Sequence, residues 1–424
     1  MALEGRRHRR SRAVRAYRQN RFKGIKIAVM VVLILALCAV VGLFLLPKWL
    51  PGFDPLGVNP TEPTVPTEPK PDQVIHITAG GDVNVTDKTV AAGLKEGGYD
   101  YTEVFRDVLP VLASGDVTML NFEGTFGGAS YGSATRTPPP ELLKGLATAG
   151  VDILQTANSY SIFGGLDGLR STISAIQGAG MTPVGTFVDK EAFEQSGGYL
   201  IWDIKGIKVA FVAFTKGMRN DKEESMGIPS NGENCINLLY EDYTTTYQKV
   251  AKEQITNIIR NAKAHEPDLI VAMLHWGGEY NDKISTSQDK ICKLLQEEGV
   301  DAIIGTHSHY VQKVDYNPQA GTLVAYSLGD FIGDAEKTGT NYSVILDLEV
   351  TKSGTTGETK ITGFDCVPIF VDQNESGSMR VLRMREAIEG YENRYVGSIS
   401  EDIYNSMKSA LNHINDRTGL KKAE

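Results

Sequence analysis

Seven short apolar runs, separated by longer amphipathic stretches, limit what this chain can fold into more than any other feature of it. The runs are 74–80 (VIHITAG), 116–121 (DVTMLN), 151–155 (VDILQ), 208–214 (KVAFVAF), 268–274 (DLIVAML), 301–305 (DAIIG) and 322–327 (TLVAYS). Most are near-continuously apolar, the pattern of a strand covered on both faces. Segments 102–113, 139–149, 166–179, 241–264 and 285–299 lie between them and carry helical periodicity. Strand and helix in alternation predict an α/β layered body. Segments 341–350 and 358–371 alternate with period two and predict antiparallel strands. The tail, 377–418, is amphipathic and predicted helical, with its last residues frayed.

Charge separates this body from what precedes it. Residues 1–26 hold ten Lys/Arg against Glu4, whereas the whole chain carries a net −9, so the remainder carries −18. The next twenty residues, 27–46, contain no charge (IAVMVVLILALCAVVGLFLL). As a helix they span roughly 30 Å, the hydrocarbon thickness of a bilayer. The basic flank puts the N-terminus in the cytoplasm, facing anionic headgroups rather than nucleic acid. The run is long for a cleaved signal peptide and meets Pro47-Lys48-Trp49-Leu50 instead of a small-residue cleavage site. Residues 47–73 hold eight prolines and read as an extended linker. The expected organisation is a basic cytoplasmic arm (1–26), one transmembrane helix (27–46) and a linker (47–73). An extracellular body (74–372) and a C-terminal helical extension (373–424) follow. Three cysteines lie beyond the helix, Cys235, Cys292 and Cys366, and none has CxxC spacing. At most one internal disulfide can form, and the core must hold the body together.

Polar residues cluster where five of the runs end. Asp82 and Asn84 follow the first, Glu123 the second, Asn158 and Ser159 the third, His275 to Glu279 the fifth, and His307 and His309 the sixth. In α/β sheets ligand sites lie beyond the carboxyl ends of the strands. Residues i and i+2 of an extended chain point the same way, so His307 and His309 can face one point. Asp82, Asn84, Glu123, Asn158, His275, His307 and His309 are therefore candidate ligands for one or two divalent metals (Mn, Zn, Fe or Mg). Glu123 could bridge two ions about 3.5–4 Å apart. Trp276, Tyr280 and Asp330 are candidate substrate contacts, though Trp276 fits packing beneath the site as well.

The motifs GGDVN, NFEG, TANSYSIFGGLDGLRSTISAIQGAGMTPVG, HWGGEY, GTHSHYVQ and YSLGDF occur in that order over about residues 74–372. In order and wording they resemble the CapA family of poly-γ-glutamate capsule proteins, within the calcineurin-like metallophosphoesterase superfamily. The resemblance implies a four-layer αββα sandwich with a two-metal site between its sheets. It also implies that Asp82, Glu123, Asn158, His275, His307 and His309 are ligands, with Asn84 where the wider superfamily often has histidine. Ser159 stands where the family has its acid histidine, and Ile162 where an aspartate would orient it. A serine hydroxyl is a poor acid, and loss of a positioned acid costs about 10²–10⁴-fold. His309 and Glu279 are the catalytic candidates to replace it.

Two readings of function follow. One is a membrane-anchored, metal-dependent hydrolase acting in synthesis or export of a cell-envelope polymer, by resemblance poly-γ-glutamate. The other is a non-catalytic module that grips the polymer or a capsule synthase complex through a degenerate metal site. A general phosphoesterase is weakened by Ser159.

Overall fold

Alternate residues of the central strands feed two different cores. The computed structural model describes residues 70–374, 377–394 and 399–419, within the unit Glu68–Glu424. The basic arm, the apolar run 27–46 and the linker up to residue 69 lie outside the described residues. Among the described residues no helix is long and apolar enough to cross a membrane.

The strands are β1 (Gln73–Asn84), β2 (Val117–Glu123), β3 (Ile153–Gln155), β4 (Thr182–Val184), β5 (Tyr199–Ile204), β6 (Ile207–Thr215) and β7 (Leu269–His275). They continue as β8 (Ala302–Thr306), β9 (Val314–Asn317), β10 (Thr322–Ala325), β11 (Asp330–Ile332), β12 (Tyr342–Lys352), β13 (Thr359–Gln373) and β14 (Met379–Arg383). One sheet runs β14-β13-β12-β1-β2-β3-β4, with β11 also paired to β1; the other runs β9-β10-β8-β7-β6-β5. β1 to β4 pair in parallel, as do β6, β7, β8 and β10. Each sheet therefore presents a row of carboxyl ends.

The sheets share one core. Ile75, Ile77, Val117 and Met119 of the first meet Val209, Phe211, Val271 and Ile304 of the second. The intervening residues of β6 and β7 turn outward onto α3 (Lys252–Lys263) and α4 (Thr286–Glu297). On the other side Leu120, Phe122 and Leu154 pack against α1 (Glu141–Ala149), and Ile176 of α2 (Gly165–Gly178) joins them. Helix, sheet, sheet, helix is the expected four-layer αββα arrangement. Each fully buried aliphatic side chain contributes about 1.5–3 kcal/mol to it.

Three expected helices differ. Segment 102–113 is two single turns, Thr102–Phe105 and Leu109–Leu112, because Pro110 lacks the N–H that a continuous helix needs. The helix expected from 241 starts only at Lys252. Before it, the Asp242 carboxylate accepts the amides of Gln248 and Lys249 at 2.9 and 3.0 Å, closing a loop instead. The tail first adds β14 to the sheet. It becomes helical only in α5 (Met384–Glu392) and α6 (Glu401–Thr418), which pack Met384, Met407 and Ile414 onto the intersheet core.

Two glycines let backbones pass at the carboxyl ends. A Cβ on Gly81 would lie 1.7 Å from the Gly329 oxygen, and one on Gly305 would lie 2.0 Å from the Tyr326 oxygen and 2.4 Å from Trp276 Nε1. Trp276 donates to that Tyr326 oxygen at 2.9 Å. Gly305→Ala is expected to cost about 1–3 kcal/mol, the range of overpacked cores. The check is the urea midpoint, and an unchanged midpoint would mean that β8 and β10 are less tightly apposed than this.

Candidate metal centre

The apolar strands turn polar at their carboxyl ends, and the side chains there have no water to face. Asp82, Glu123, His275 and His307 are all buried, with at most 2% of their surface exposed. Register explains their convergence, since Asn84 pairs with Glu123 across β1–β2 and His275 with Thr306 across β7–β8. His307 and His309 follow at left-handed φ values of 85° and 59°. Such backbone costs of order 1–3 kcal/mol each and persists only where the surroundings impose it.

Two groups of ligating atoms result. Glu123, His275 and His307 form one, and Asp82, His309 and Asp330 the other, each with its donor atoms within 4.8 Å of one another. In the first, His275 Nε2 lies 3.2 Å from Glu123 Oε1, and the His275 and His307 rings are 4.4 Å apart. Neither nitrogen of His307 has a hydrogen-bond partner although both are buried. A buried imidazole so placed is costly unless something takes its lone pair, and a divalent ion fits that need. In the second, His309 Nδ1 is 2.7 Å from Asp330 Oδ1 and 3.9 Å from Asp82 Oδ2.

One buried amide, Asn121, ties the groups together. Its Nδ2 donates to Asp82 Oδ1 at 2.6 Å, and lies 3.4 Å from Glu123 and 3.3 Å from His275 Nδ1. Asn158 donates to Asn121 Oδ1 at 3.0 Å and to the Phe122 carbonyl at 2.6 Å. Its own oxygen accepts from the Tyr160 amide at 3.0 Å, so the side chain is engaged at both ends. Asn84 turns its NH2 to Asp330 at 3.1 Å.

Burial sets the protonation. It pushes Glu123 up to about 8, with the nearby Asp82 adding to the rise. Burial pushes Asp330 up to about 7 against the pull of His309. Burial likewise raises Asp82 and drives His275 and His307 well below the ordinary imidazole range. His309 is the exception: burial acts to lower it, but Asp330, Glu279 and Glu123 together hold it well above that range. Glu279 is brought down to about 2, because His309 and Arg219 outweigh its burial. Arg219 Nη2 sits 2.8 Å from it.

A cleft of about 430 Å³ opens above, walled by Arg136, Tyr160, Arg219, Glu279, Tyr280 and Lys337 among others. His309 and Asp330 reach it. Tyr280 stacks on His309 with 5.0 Å between ring centres and stands in the wall as expected. Ser159 is buried, its Oγ 3.0 Å from His275 Nε2, and Ile162 is a core residue. One expectation needs correction: Trp276 is fully buried and stacked on Tyr326 in the outer core, so it cannot touch a substrate. Asp330 lines the cleft and is also a member of the second ligating group.

Asn121, Arg219 and Lys216 join the site without having been expected there. Asn121 sits inside an apolar strand with nothing to distinguish it from a structural amide. Arg219 and Lys216 were legible, for they follow the carboxyl end of the run 208–214 just as His275 follows that of 268–274.

Comparison with known proteins places these features in a family context. The sequence model of the bacterial capsule synthesis protein PGA_cap matches residues 76–335. The capsule biosynthesis protein CapA of Bacillus anthracis is 28% identical over 309 residues, covering 70% of this chain and 69% of that protein. The PGA biosynthesis protein CapA of Bacillus subtilis is 25% identical over 305 residues, covering 69% of this chain and 72% of the relative. Among solved structures, the calcineurin-like phosphoesterase YfkN of Bacillus subtilis aligns over 82% of this chain and 99% of its own. The TM-score of that alignment is 0.42 and the sequence identity 16%.

Protonation of the floor gives a stability signature. Glu123 and Asp330 keep protons in the folded, metal-free body at pH values where the unfolded chain has lost them. His275 and His307 act in the opposite sense, but only below about pH 6.5, where unfolded imidazoles take up protons. Between about pH 6.5 and 8 the folded state therefore binds more protons than the unfolded one, and stability falls as pH rises. Denaturant midpoints of chelator-treated protein at the two ends of that window should show the fall. Added divalent metal should offset it by replacing the protons; a midpoint rising with pH would contradict the buried, neutral carboxylates.

Proposed function

Because the chain belongs to the bacterial capsule synthesis protein family PGA_cap, we propose that it is an accessory protein of capsule or cell-envelope polymer synthesis. The polymer is poly-γ-glutamate, and the cleft floor is a metal-dependent hydrolase-type site. The observation that carries this reading is His307, a fully buried imidazole with both nitrogens unpartnered beside Glu123 and His275.

Glu123, His275 and His307 would hold one divalent ion and Asp82, His309 and Asp330 a second; Mn, Zn, Fe or Mg suits such mixed ligands. When bound, the metal supplies a Lewis acid for a carbonyl or phosphoryl oxygen and lowers the pKa of a bound water. The chain's own residues do the rest. Asn121 holds Asp82, Glu123 and His275 in one orientation. With only the first ion bound, His309 keeps a proton at the cleft, between Asp330 and Glu279, and is the group placed to serve a leaving atom in the absence of the family's acid histidine. As a ligand of the second ion it would give up that proton and that role. Glu279 stays charged against Arg219 and is unsuited to donate a proton. Tyr280 and the Arg136–Tyr160 pair, with the guanidinium 4.1 Å over the ring, line the substrate's path.

The second reading, a non-catalytic module that binds polymer or synthase, is favoured by Ser159, whose hydroxyl is taken up by His275. In either reading the uncharged run 27–46 anchors the protein in the cell membrane. The basic arm is then cytoplasmic and the body extracellular, held off by the proline-rich linker.

Metal analysis of the purified full-length chain in detergent, with a panel of peptide, ester and phosphoester substrates, separates the two. The hydrolase reading expects about one or two metal ions per chain and turnover that His307→Ala abolishes without unfolding the body. Metal affinity should fall by more than the 10–100-fold typical of losing a supporting residue. Intact polymer binding after metal removal, with no turnover of any substrate, would favour the binding module.

A further inference from the structure

Beside the cleft lies a second pocket, of about 170 Å³, that the expected chemistry does not use. Ser159, Lys216, Gly217, Met218, Arg219 and Tyr247 are among its lining residues. It is continuous in lining with the main cleft, since Arg219 and Glu223 border both. Its backbone is fastened to the metal centre at two points. The Lys216 amide donates to the His275 carbonyl at 2.9 Å, and the Arg219 amide to the Ser159 carbonyl at 3.0 Å.

Lys216 is the unusual member. Its ammonium is partly buried and donates to the Gly277 carbonyl at 2.8 Å, with the Tyr247 ring centre 4.9 Å away. Among the described residues it forms no ion pair with a carboxylate, unlike Arg219, which is neutralised by Glu223 and Glu279. An ammonium has three donors, and one backbone carbonyl with one ring face does not satisfy them. Burying a cation without a counter-charge is unfavourable, and an anion supplied from outside relieves it. Ser159 keeps the way open: its short side chain borders the pocket at the edge of the metal centre, where an imidazole would occupy more of that space.

We infer that this pocket is an oxyanion subsite, in which Lys216 determines specificity by receiving a carboxylate or phosphate borne by the substrate next to its reacting bond. Lys216 offers its free N–H groups, Arg219 is held by Glu223 and Glu279 and leaves Lys216 as the cation without a carboxylate partner in this lining, and Ser159 marks the side nearest His275. Only a substrate with an anionic group one short step from the reacting atom would fill both cavities. This inference rests on the hydrolase reading above and names the substrate class for it.

The test uses the full-length chain in detergent, stripped of metal by chelator so that no ion can hold the anion. Inorganic phosphate and the dipeptide γ-glutamylglutamate are titrated separately by calorimetry. At least one should bind the wild type, and Lys216→Met should weaken it at least about tenfold, the loss expected for one charge-assisted hydrogen bond. Lys216→Arg should retain most of the binding. A response to phosphate alone identifies a phosphoester substrate, and a response to the dipeptide alone a carboxylate-bearing polymer. If Lys216→Met does not fold by circular dichroism, Ser225→Phe takes its place. It narrows the same pocket from another wall, and the same loss is required of it. Failure of both probes to bind, or binding at wild-type strength in the folded variant, overturns the subsite. Metal titration of the same wild-type sample keeps the two ideas apart: loss of metal binding with anion binding intact counts against the hydrolase reading alone.

Discussion

Four ionisable side chains share a space from which water is shut out, and the architecture around them answers to that constraint. Taking one ion out of water costs several kcal/mol even after relaxation, and Asp82, Glu123, His275 and His307 sit together at most 2% exposed. Two parallel rows of strands make this arrangement feasible, because their carboxyl ends bring donors to fixed positions over a shared apolar core. Asn121 distributes its amide over three of the four, and the His307 backbone amide donates to Asp82 at 3.1 Å. Even so, the ring of His307 remains unsatisfied, and its φ of 85° shows that the turn holds it there. Strain and an orphaned imidazole at one residue point to a ligand rather than to packing, since packing would have favoured an apolar side chain in a relaxed conformation.

Charge is sorted by depth. At the floor, burial disfavours ionised forms, and carboxylates rise while imidazoles fall. One layer higher, His309, Glu279 and Arg219 alternate in sign, each charge beside an opposite one, and His309 stays charged despite its burial, with Asp330 2.7 Å from its Nδ1. A boundary between neutral floor and charged wall is where a proton can be held ready without being lost to water. The Ser159 hydroxyl shares His275 Nε2 with Glu123, at 3.0 and 3.2 Å. Two groups thus converge on one nitrogen, and an ion claiming it would leave the serine without that partner.

Legibility followed the physics of burial. A strand covered on both faces must be written in apolar residues, so β1, β2, β6, β7 and β8 could be read directly, and so could the polar residues at which each stops. The αββα layering and its two-metal site came from the resemblance, and three cores, one between the sheets and one outside each, bear the layering out. Less was legible where a local interaction overrode periodicity. Asp242 captured two amides and delayed α3 to Lys252, and Pro110 divided an amphipathic stretch into two turns. Trp276 could not be assigned from its neighbours, because a residue after a ligand may point either way, and its indole turns outward to Tyr326. Lys216 and Arg219 carry no metal-ligating group, so the donor pattern that marks the other strand ends does not mark theirs.

An acidic body and an anionic polymer set a further requirement. With a net −18 after residue 26 the protein repels such a partner at long range, but at physiological salt that repulsion is screened within about 8 Å. Inside that distance individual side chains decide the outcome. Arg136 lies over Tyr160, Lys337 over Tyr280 with its nitrogen 3.2 Å from the ring centre, and Lys216 beside Ser159. Each cation rests on or near an aromatic face, which holds it without cancelling its charge as a carboxylate would. The cleft wall sets Arg136, Arg219 and Lys337 among Glu223, Glu279, Asp334 and Glu336, so an anionic segment is attracted at single side chains and not by the cleft as a whole. Under the proposed function, such local attraction suits a protein working beside the source of its polymer better than one that searches free solution for it.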